Sequence, residues 1–181
     1  MQMNLANKLT LARVVMIPVF LVVLLTGIFP YPLNRYIATA IFVIASATDM
    51  LDGYIARSRN MVTNFGKFMD PIADKLLVAS AMISLVGLGE LSAVAVIIII
   101  SREFIVSGFR LIAVEAGIVI AASKWGKIKT ITQMITLIFL LMGFGGTTAG
   151  IIGFVLVLLS VVLTIISGVD YIWKNKEVLK G

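Results

Sequence analysis

The stretch SATDMLDGYIARSRNMVTNFGKFMDPIADK, residues 46–75, places four aspartates beside two long apolar runs. The four are Asp49, Asp52, Asp70 and Asp74. Residues three or four apart share one face of a helix, so each pair predicts one acidic helix face. The turn-like segment between the pairs brings the two predicted helices back antiparallel, and the acidic faces can then oppose one another. Four ionised carboxylates packed together in a low dielectric require cations between them.

The residue types that are missing from the chain restrict which cations these are. The sequence contains no cysteine and no histidine, which excludes disulfides, thiol nucleophiles, Cys or His zinc sites and imidazole bases. A metal must therefore have oxygen ligands, which favours hard cations such as Mg²⁺ or Mn²⁺. The aspartates thus predict a site for one or two divalent ions whose open positions are completed by a phosphate-bearing ligand.

The composition predicts an all-α integral membrane protein with a single domain over residues 1–181. Of the 181 residues, 60% are hydrophobic and 13% are charged, whereas a soluble domain has about 25% charged residues. Six apolar stretches reach or approach the ~20 residues that cross a ~30 Å hydrocarbon core. They cover residues 9–27, 34–57, 66–87, 91–115, 126–144 and 148–173. The sequence therefore predicts a bundle of six transmembrane helices.

The distribution of charge predicts the orientation of this bundle. Of the 15 basic residues, only Arg35 belongs to the side that carries the turns after the first, third and fifth spans. The positive-inside rule makes the other side cytoplasmic, which predicts a protein of the cell membrane with both termini in the cytoplasm. Asp49 lies ~21 Å from the outer start of its span, and Asp74 lies ~12 Å from a cytoplasmic end. These depths predict a polar cavity that opens to the cytoplasm. A purely structural ion-pair network would need equal numbers of positive and negative charges, whereas four carboxylates cluster here.

The spacing of the acidic stretch resembles a family signature. The pattern D-x2-D-G-x2-A-R-x8-G-x3-D-x3-D is typical of the CDP-alcohol phosphotransferases. All eight positions are filled, by Asp49, Asp52, Gly53, Ala56, Arg57, Gly66, Asp70 and Asp74. Four more segments are similar to the bacterial members that use glycerol 3-phosphate: NLANKLTLARVVMIP, DPIADKLLVA, SREFIVSGFR and SKWGKIKTITQM. The last apolar stretch is generic.

This resemblance implies a metal-dependent transfer of the phosphatidyl group from CDP-diacylglycerol to glycerol 3-phosphate, which gives phosphatidylglycerophosphate and CMP. It implies two divalent cations, Mg²⁺ or Mn²⁺, on Asp49, Asp52, Asp70 and Asp74, with Asp74 also the general base. The implied CDP-diacylglycerol site comprises Asp49, Gly53, Ala56, Arg57, Thr63 and Gly66. The resemblance also implies a homodimer surrounded by membrane lipids, and no nucleic-acid partner is expected.

The acceptor brings a phosphate of its own, which requires cationic side chains. The candidates are Arg102 and Arg110 on the fourth predicted helix, and Lys127 and Lys129 at the start of the fifth. The alternative for the two lysines, together with Lys124, is a cytoplasmic flank that fixes topology and contacts lipid phosphates. Two further candidates lie at the start of the first helix, namely Thr10 and Arg13.

Two alternative functions follow from the same residues. A sister enzyme could share the aspartate core and use another acceptor, such as inositol phosphate or serine. A divalent-cation or proton-coupled transporter would also carry aspartates inside the membrane. The acidic pairs all lie toward one side, with no matching carboxylates in the outer half, which argues against an ion path. Metal-dependent release of CMP from a CDP-lipid separates the transporter from the enzymes.

Overall fold

Six α-helices make up the regular structure of the described part of the chain. A computed structural model describes residues 5–58, 64–115, 117, 118, 120 and 123–176, with side chains from residue 7 except those of 49–58, 64, 65 and 67. The helices are α1 (Leu5–Leu25), α2 (Leu33–Ser58), α3 (Asn64–Gly87), α4 (Ala93–Glu115), α5 (Lys124–Leu141) and α6 (Thr147–Lys174). Over these residues there is no strand, so the predicted all-α class is confirmed. Each predicted apolar stretch coincides with one helix, to within a few residues at its ends.

The chain divides into two compact units. The first unit comprises Met1–Leu88 together with Leu141–Gly143 and contains α1, α2 and α3. The second unit comprises Gly89–Leu140 together with Phe144–Gly181 and contains α4, α6 and nearly all of α5. The single domain expected over residues 1–181 stays a prediction.

In the first unit, α1 packs against both α2 and α3. Its buried positions recur every three or four residues, which is the spacing of one helix face: Asn7, Thr10, Arg13, Ile17, Phe20 and Leu24. The face is polar near the start of the helix and apolar toward its end, where the Phe20 and Phe42 rings lie 6.1 Å apart. The buried face of α3 includes Ala73 and Ala81, whose small side chains allow neighbouring helices to approach closely.

In the second unit, α4 packs against α6. Val106, Phe109 and Ala113 of α4 form a buried cluster with Tyr171 of α6, and the Phe109 and Tyr171 rings meet edge to face at 5.9 Å. The start of α5 is capped by Ser123, whose hydroxyl accepts a hydrogen bond from the Gly126 N–H at 3.0 Å. Such a cap satisfies one of the unpaired amides of the first turn and fixes where the helix begins.

Two of the described helices are long and apolar enough to cross a membrane. These candidate spans are Asn7–Leu25 and Thr147–Lys174, and Leu33–Thr48 is a shorter apolar segment. The remaining helices are interrupted by charged side chains, for example Asp70 and Asp74 in α3 and Arg102 and Glu103 in α4, which lower their hydropathy. The six-span bundle with its cytoplasmic cavity stays a prediction.

Candidate active site

The two acidic pairs of the sequence lie on α2 and α3 of the first unit. Asp49 and Asp52 are one turn apart near the end of α2, and Asp70 and Asp74 are one turn apart in the first half of α3. The backbone therefore gives each pair the shared helix face that the spacing predicts. Pro71 lies inside α3 between the second pair, and it has no N–H to donate to the preceding turn.

Asp70 is held by a side chain from another helix. Thr10 of α1, which is 1% exposed, donates a hydrogen bond from its hydroxyl to Asp70 Oδ1 at 2.6 Å. Thr10 was a candidate for binding glycerol 3-phosphate, and that role stays a prediction. In the structure, Thr10 contacts Asp70 and orients the carboxylate of that residue on the acidic face of α3. A neutral hydroxyl donor does this without cancelling the carboxylate's charge.

Arg13 is another polar residue that α1 buries in this unit. Its side chain is 0% exposed, and its Nε donates to the Ala45 carbonyl oxygen on α2 at 3.2 Å. Ala45 precedes Asp49 by one helical turn. This contact joins the start of α1 to α2, one turn before the first acidic pair.

The rest of the predicted nucleotide site is only partly described. Gly66 is buried in the first turn of α3, which is compatible with the close approach expected of it. Gly53, Ala56 and Arg57 belong to the last turns of α2, and their side chains, like those of Asp49 and Asp52, lie outside the described ones. Thr63 lies outside the described residues altogether. Among the described side chains, no group of three or more acidic, histidine or cysteine residues is close enough to hold a metal ion.

The second unit contains a polar network with excess positive charge. Glu103 of α4 accepts hydrogen bonds at Oε1 from Lys129 Nζ of α5 and from Arg102 Nη1, the latter at 3.2 Å. Lys129 is 2% exposed, whereas Glu103 is 28% and Arg102 14% exposed at their side chains. Two cations therefore share one carboxylate, and the network retains a net positive charge that suits an anionic ligand.

Arg102 and Arg110, the two candidate arginines of α4, both contact α6. Arg102 Nη2 donates to Ser167 Oγ at 2.6 Å. Arg110 Nε donates to the Tyr171 hydroxyl at 3.2 Å, and its guanidinium carbon lies 5.6 Å from the centre of the Tyr171 ring. Lys127, the remaining candidate, is exposed on the first turn of α5. The structure thus brings Arg102 and Lys129 together through Glu103 and gives Arg110 a separate support on α6.

Sequence reasoning missed the residues that support these cations. In the sequence, Glu103 is only a charge inside an apolar span, and the last apolar stretch carries no charged motif. Yet α6 buries four polar side chains at the spacing of one helix face: Ser160, Thr164, Ser167 and Tyr171. That periodicity is visible in the sequence VLLSVVLTIISGVDY once polar residues, rather than charged ones, are followed along the helix.

Comparison with known proteins assigns the chain to a family whose profile covers both the acidic and the basic residues. The profile of the CDP-alcohol phosphatidyltransferases matches residues 3–166, which includes both acidic pairs and every candidate basic residue. The chain belongs to the CDP-alcohol phosphatidyltransferase family. The resemblance inferred from the aspartate signature is thereby confirmed.

Relatives within the CDP-alcohol phosphatidyltransferase family match nearly the whole chain. A protein of Bacillus subtilis named CDP-diacylglycerol–glycerol-3-phosphate 3-phosphatidyltransferase is 43% identical over 190 residues, covering 98% of this chain and 97% of its own. A Haemophilus influenzae protein of the same name is 38% identical, covering 100% and 96% of the two chains. A probable phosphatidylglycerophosphate synthase of Mycobacterium tuberculosis is 43% identical, covering 93% and 80%.

Proposed function

We propose that this protein transfers the phosphatidyl group of CDP-diacylglycerol to glycerol 3-phosphate, forming phosphatidylglycerophosphate and CMP in phospholipid biosynthesis. The observation that carries the proposal is the match along nearly the full chain to relatives named for this reaction. The complete eight-residue aspartate signature supports the transfer chemistry. The basic network of α4 and α5 supports an acceptor that carries its own phosphate.

Two divalent cations, Mg²⁺ or Mn²⁺, would be held by Asp49, Asp52, Asp70 and Asp74. The donor set fits such ions because it is made of carboxylates alone, which are the ligands that hard cations prefer. Thr10 supports the fit, since its hydroxyl fixes Asp70 and leaves that residue's negative charge intact. Bound cations would neutralise the negative charge of a diphosphate. Gly53, Ala56, Arg57, Thr63 and Gly66 would bind the nucleotide part of CDP-diacylglycerol.

Asp74 would act as the general base. It would accept the proton of an acceptor hydroxyl while the hydroxyl oxygen forms a new bond to the phosphatidyl phosphorus. The phosphoanhydride bond to CMP breaks in the same displacement, and CMP leaves with the bonding electrons. The chain therefore needs no nucleophilic side chain, and its own contribution is to position the reactants and to take up the proton.

The phosphate of glycerol 3-phosphate would bind to basic residues of the second unit. Arg102 and Lys129 retain a net positive charge around Glu103, and Arg110 is held in place by Tyr171. Lys127 is exposed on the same helix as Lys129 and can supply a further cation. A guanidinium offers planar, paired donors that match the oxygens of a phosphate, which is why arginines suit this role.

The same proposal places the protein in the cell membrane as a six-span bundle, with both termini and the catalytic aspartates facing the cytoplasm. Large apolar side chains are exposed along the described helices, for example Val15 and Val19 on α1, Ile97 and Phe104 on α4, and Phe154 on α6. Soluble proteins rarely expose apolar surface on this scale, whereas lipid tails would cover it. Single cysteines in this cysteine-free chain test the topology, and external labelling at position 60 in intact cells would contradict it. A homodimer is proposed on family resemblance.

The test of this function is an acceptor panel with the purified full-length protein in nanodiscs. CDP-diacylglycerol and Mn²⁺ or Mg²⁺ are supplied with glycerol 3-phosphate, inositol phosphate or serine, and CMP and lipid products are quantified. We expect phosphatidylglycerophosphate and CMP in equal amounts with glycerol 3-phosphate, and none of either after chelation of the metal. Faster CMP release with inositol phosphate or serine would assign another acceptor. Cation uptake into sealed proteoliposomes, without CMP release, would support the transporter.

A further inference from the structure

The last helix, α6, supplies the supports for both arginines of α4. Ser167 accepts a hydrogen bond from Arg102, and Tyr171 accepts one from Arg110. Ser167 is 0% and Tyr171 2% exposed, so neither is an ordinary surface residue. Both accept through a neutral oxygen, so neither of these two contacts neutralises a guanidinium group.

Both contacts lie on one face of α6. Arg102 and Arg110 are eight residues apart on α4, which corresponds to ~12 Å along the helix axis and a rotation of ~80°. Their partners Ser167 and Tyr171 are four residues apart on α6 and therefore share a face of that helix. One face of α6 thus contacts both arginines of α4.

Gly168 of α6 leaves space for the Arg102 side chain. A Cβ atom at position 168 would lie 3.2 Å from Arg102 Cγ, which is tighter than most Cβ contacts in proteins. A Cβ atom at position 126 of α5 would lie 3.7 Å from Arg102 Nη2, which is an ordinary van der Waals distance. Gly168 follows Ser167 directly, so the same turn of α6 both accommodates the Arg102 side chain and accepts its hydrogen bond.

We propose that Ser167 and Tyr171 are positioning residues that fix Arg102 and Arg110 for binding the phosphate of the acceptor, so that α6 sets the affinity for a phosphorylated acceptor. The inference rests on the proposed function, because it concerns how that function's second substrate is bound. The hydroxyl of Ser167 orients Arg102 from α6 while Glu103 holds it from α4. Tyr171 combines a hydroxyl acceptor with a ring face beside the Arg110 guanidinium, which restricts that side chain in two directions.

Two conservative variants test the proposal. Ser167→Ala and Tyr171→Phe each remove one hydroxyl, and the second retains the aromatic ring. Ser160→Ala is the matched control, because Ser160 lies on the same buried face of α6 and loses a comparable hydrogen bond, to Thr136 Oγ1 at 2.8 Å. Full-length protein in nanodiscs is assayed for KM of each substrate, kcat, the unfolding midpoint and calorimetric binding of glycerol 3-phosphate.

We expect each test variant to raise the Kd and KM for glycerol 3-phosphate roughly fivefold or more, with kcat and the KM for CDP-diacylglycerol unchanged. The control should leave all four values unchanged. If the Kd of the test variants stays within about twofold of the control, or if both KM values and the unfolding midpoint shift together, the positioning role is wrong. A wild-type protein that binds glycerol 3-phosphate but does not convert it would overturn the proposed function alone, and the Kd comparison would still decide the inference. A wild-type protein that neither binds nor converts it would overturn both.

Discussion

The α2–α3 region and the α4–α6 region differ in how they treat their charged side chains. In the first, the described partner of Asp70 is a neutral hydroxyl, which adds no opposite charge beside the carboxylate. In the second, Glu103 is shared by Lys129 and Arg102, so the carboxylate is outnumbered by its cations. This difference agrees with the proposed function, in which the acidic region would hold divalent cations and the basic region would bind the phosphate of the acceptor.

The largest effect should come from the acidic region. Asp74→Asn should lower kcat by about a hundredfold to ten-thousandfold, because an amide cannot accept the hydroxyl proton that a general base removes. CDP-diacylglycerol should still bind, as measured by calorimetry, and saturating Mn²⁺ should restore nothing.

Asp70→Asn is the matched comparison, one turn earlier on the same helix. It should weaken metal binding, so that raised Mn²⁺ or Mg²⁺ recovers part of its activity. Recovery of Asp74→Asn by excess metal would instead show that Asp74 is only a metal ligand, and the assignment of the base would be wrong.

An intermediate effect is expected in the basic region. Lys127→Ala should raise the KM for glycerol 3-phosphate about tenfold to 150-fold, which corresponds to the loss of one hydrogen bond to a charged group. The KM for CDP-diacylglycerol should change little. Lys124→Ala is the control, since Lys124 is exposed on the same helix turn and we expect it to serve as a cytoplasmic flank. Equal effects of the two substitutions would mean that Lys127 belongs to that flank as well.

The smallest effect should come from Thr10. Thr10→Val keeps the shape of the side chain but removes the hydroxyl that orients Asp70, so the metal concentration for half-maximal activity should rise about twofold to tenfold. Thr10→Ser retains the hydroxyl and should behave like the wild type. A rise in the KM for glycerol 3-phosphate, with no change in metal dependence, would restore Thr10 to the acceptor site.

The helices and the acidic faces could be predicted from the sequence because they depend on local regularities. Apolar runs of helical length identify the six helices, and the three- and four-residue spacing of the aspartates places each pair on one face of α2 or α3. The partners of those residues depend on tertiary packing, which no local pattern encodes. The contact between Thr10 and Asp70 joins residues 60 positions apart in the chain.

The partners of neutral polar residues in apolar helices could not be predicted from the sequence. Ser167 and Tyr171 attract no attention beside the charged motifs, although they contact the two arginines of α4. A serine or tyrosine in such a helix can bond to its own backbone or face lipid headgroups, so its type alone does not reveal a partner. Only the shared helical spacing with Ser160 and Thr164 distinguishes a buried face.

The most direct test of the division between the two regions compares glycerol 3-phosphate with glycerol as acceptor, in the wild-type protein and in Arg110→Ala. Glycerol offers the same attacking hydroxyl without the phosphate. We predict that the wild type prefers glycerol 3-phosphate strongly in kcat/KM, and that Arg110→Ala loses about tenfold or more of this preference because only the reaction of the phosphorylated acceptor slows. If the substitution lowers kcat/KM equally for both acceptors, the basic region does not recognise the phosphate and the account is contradicted.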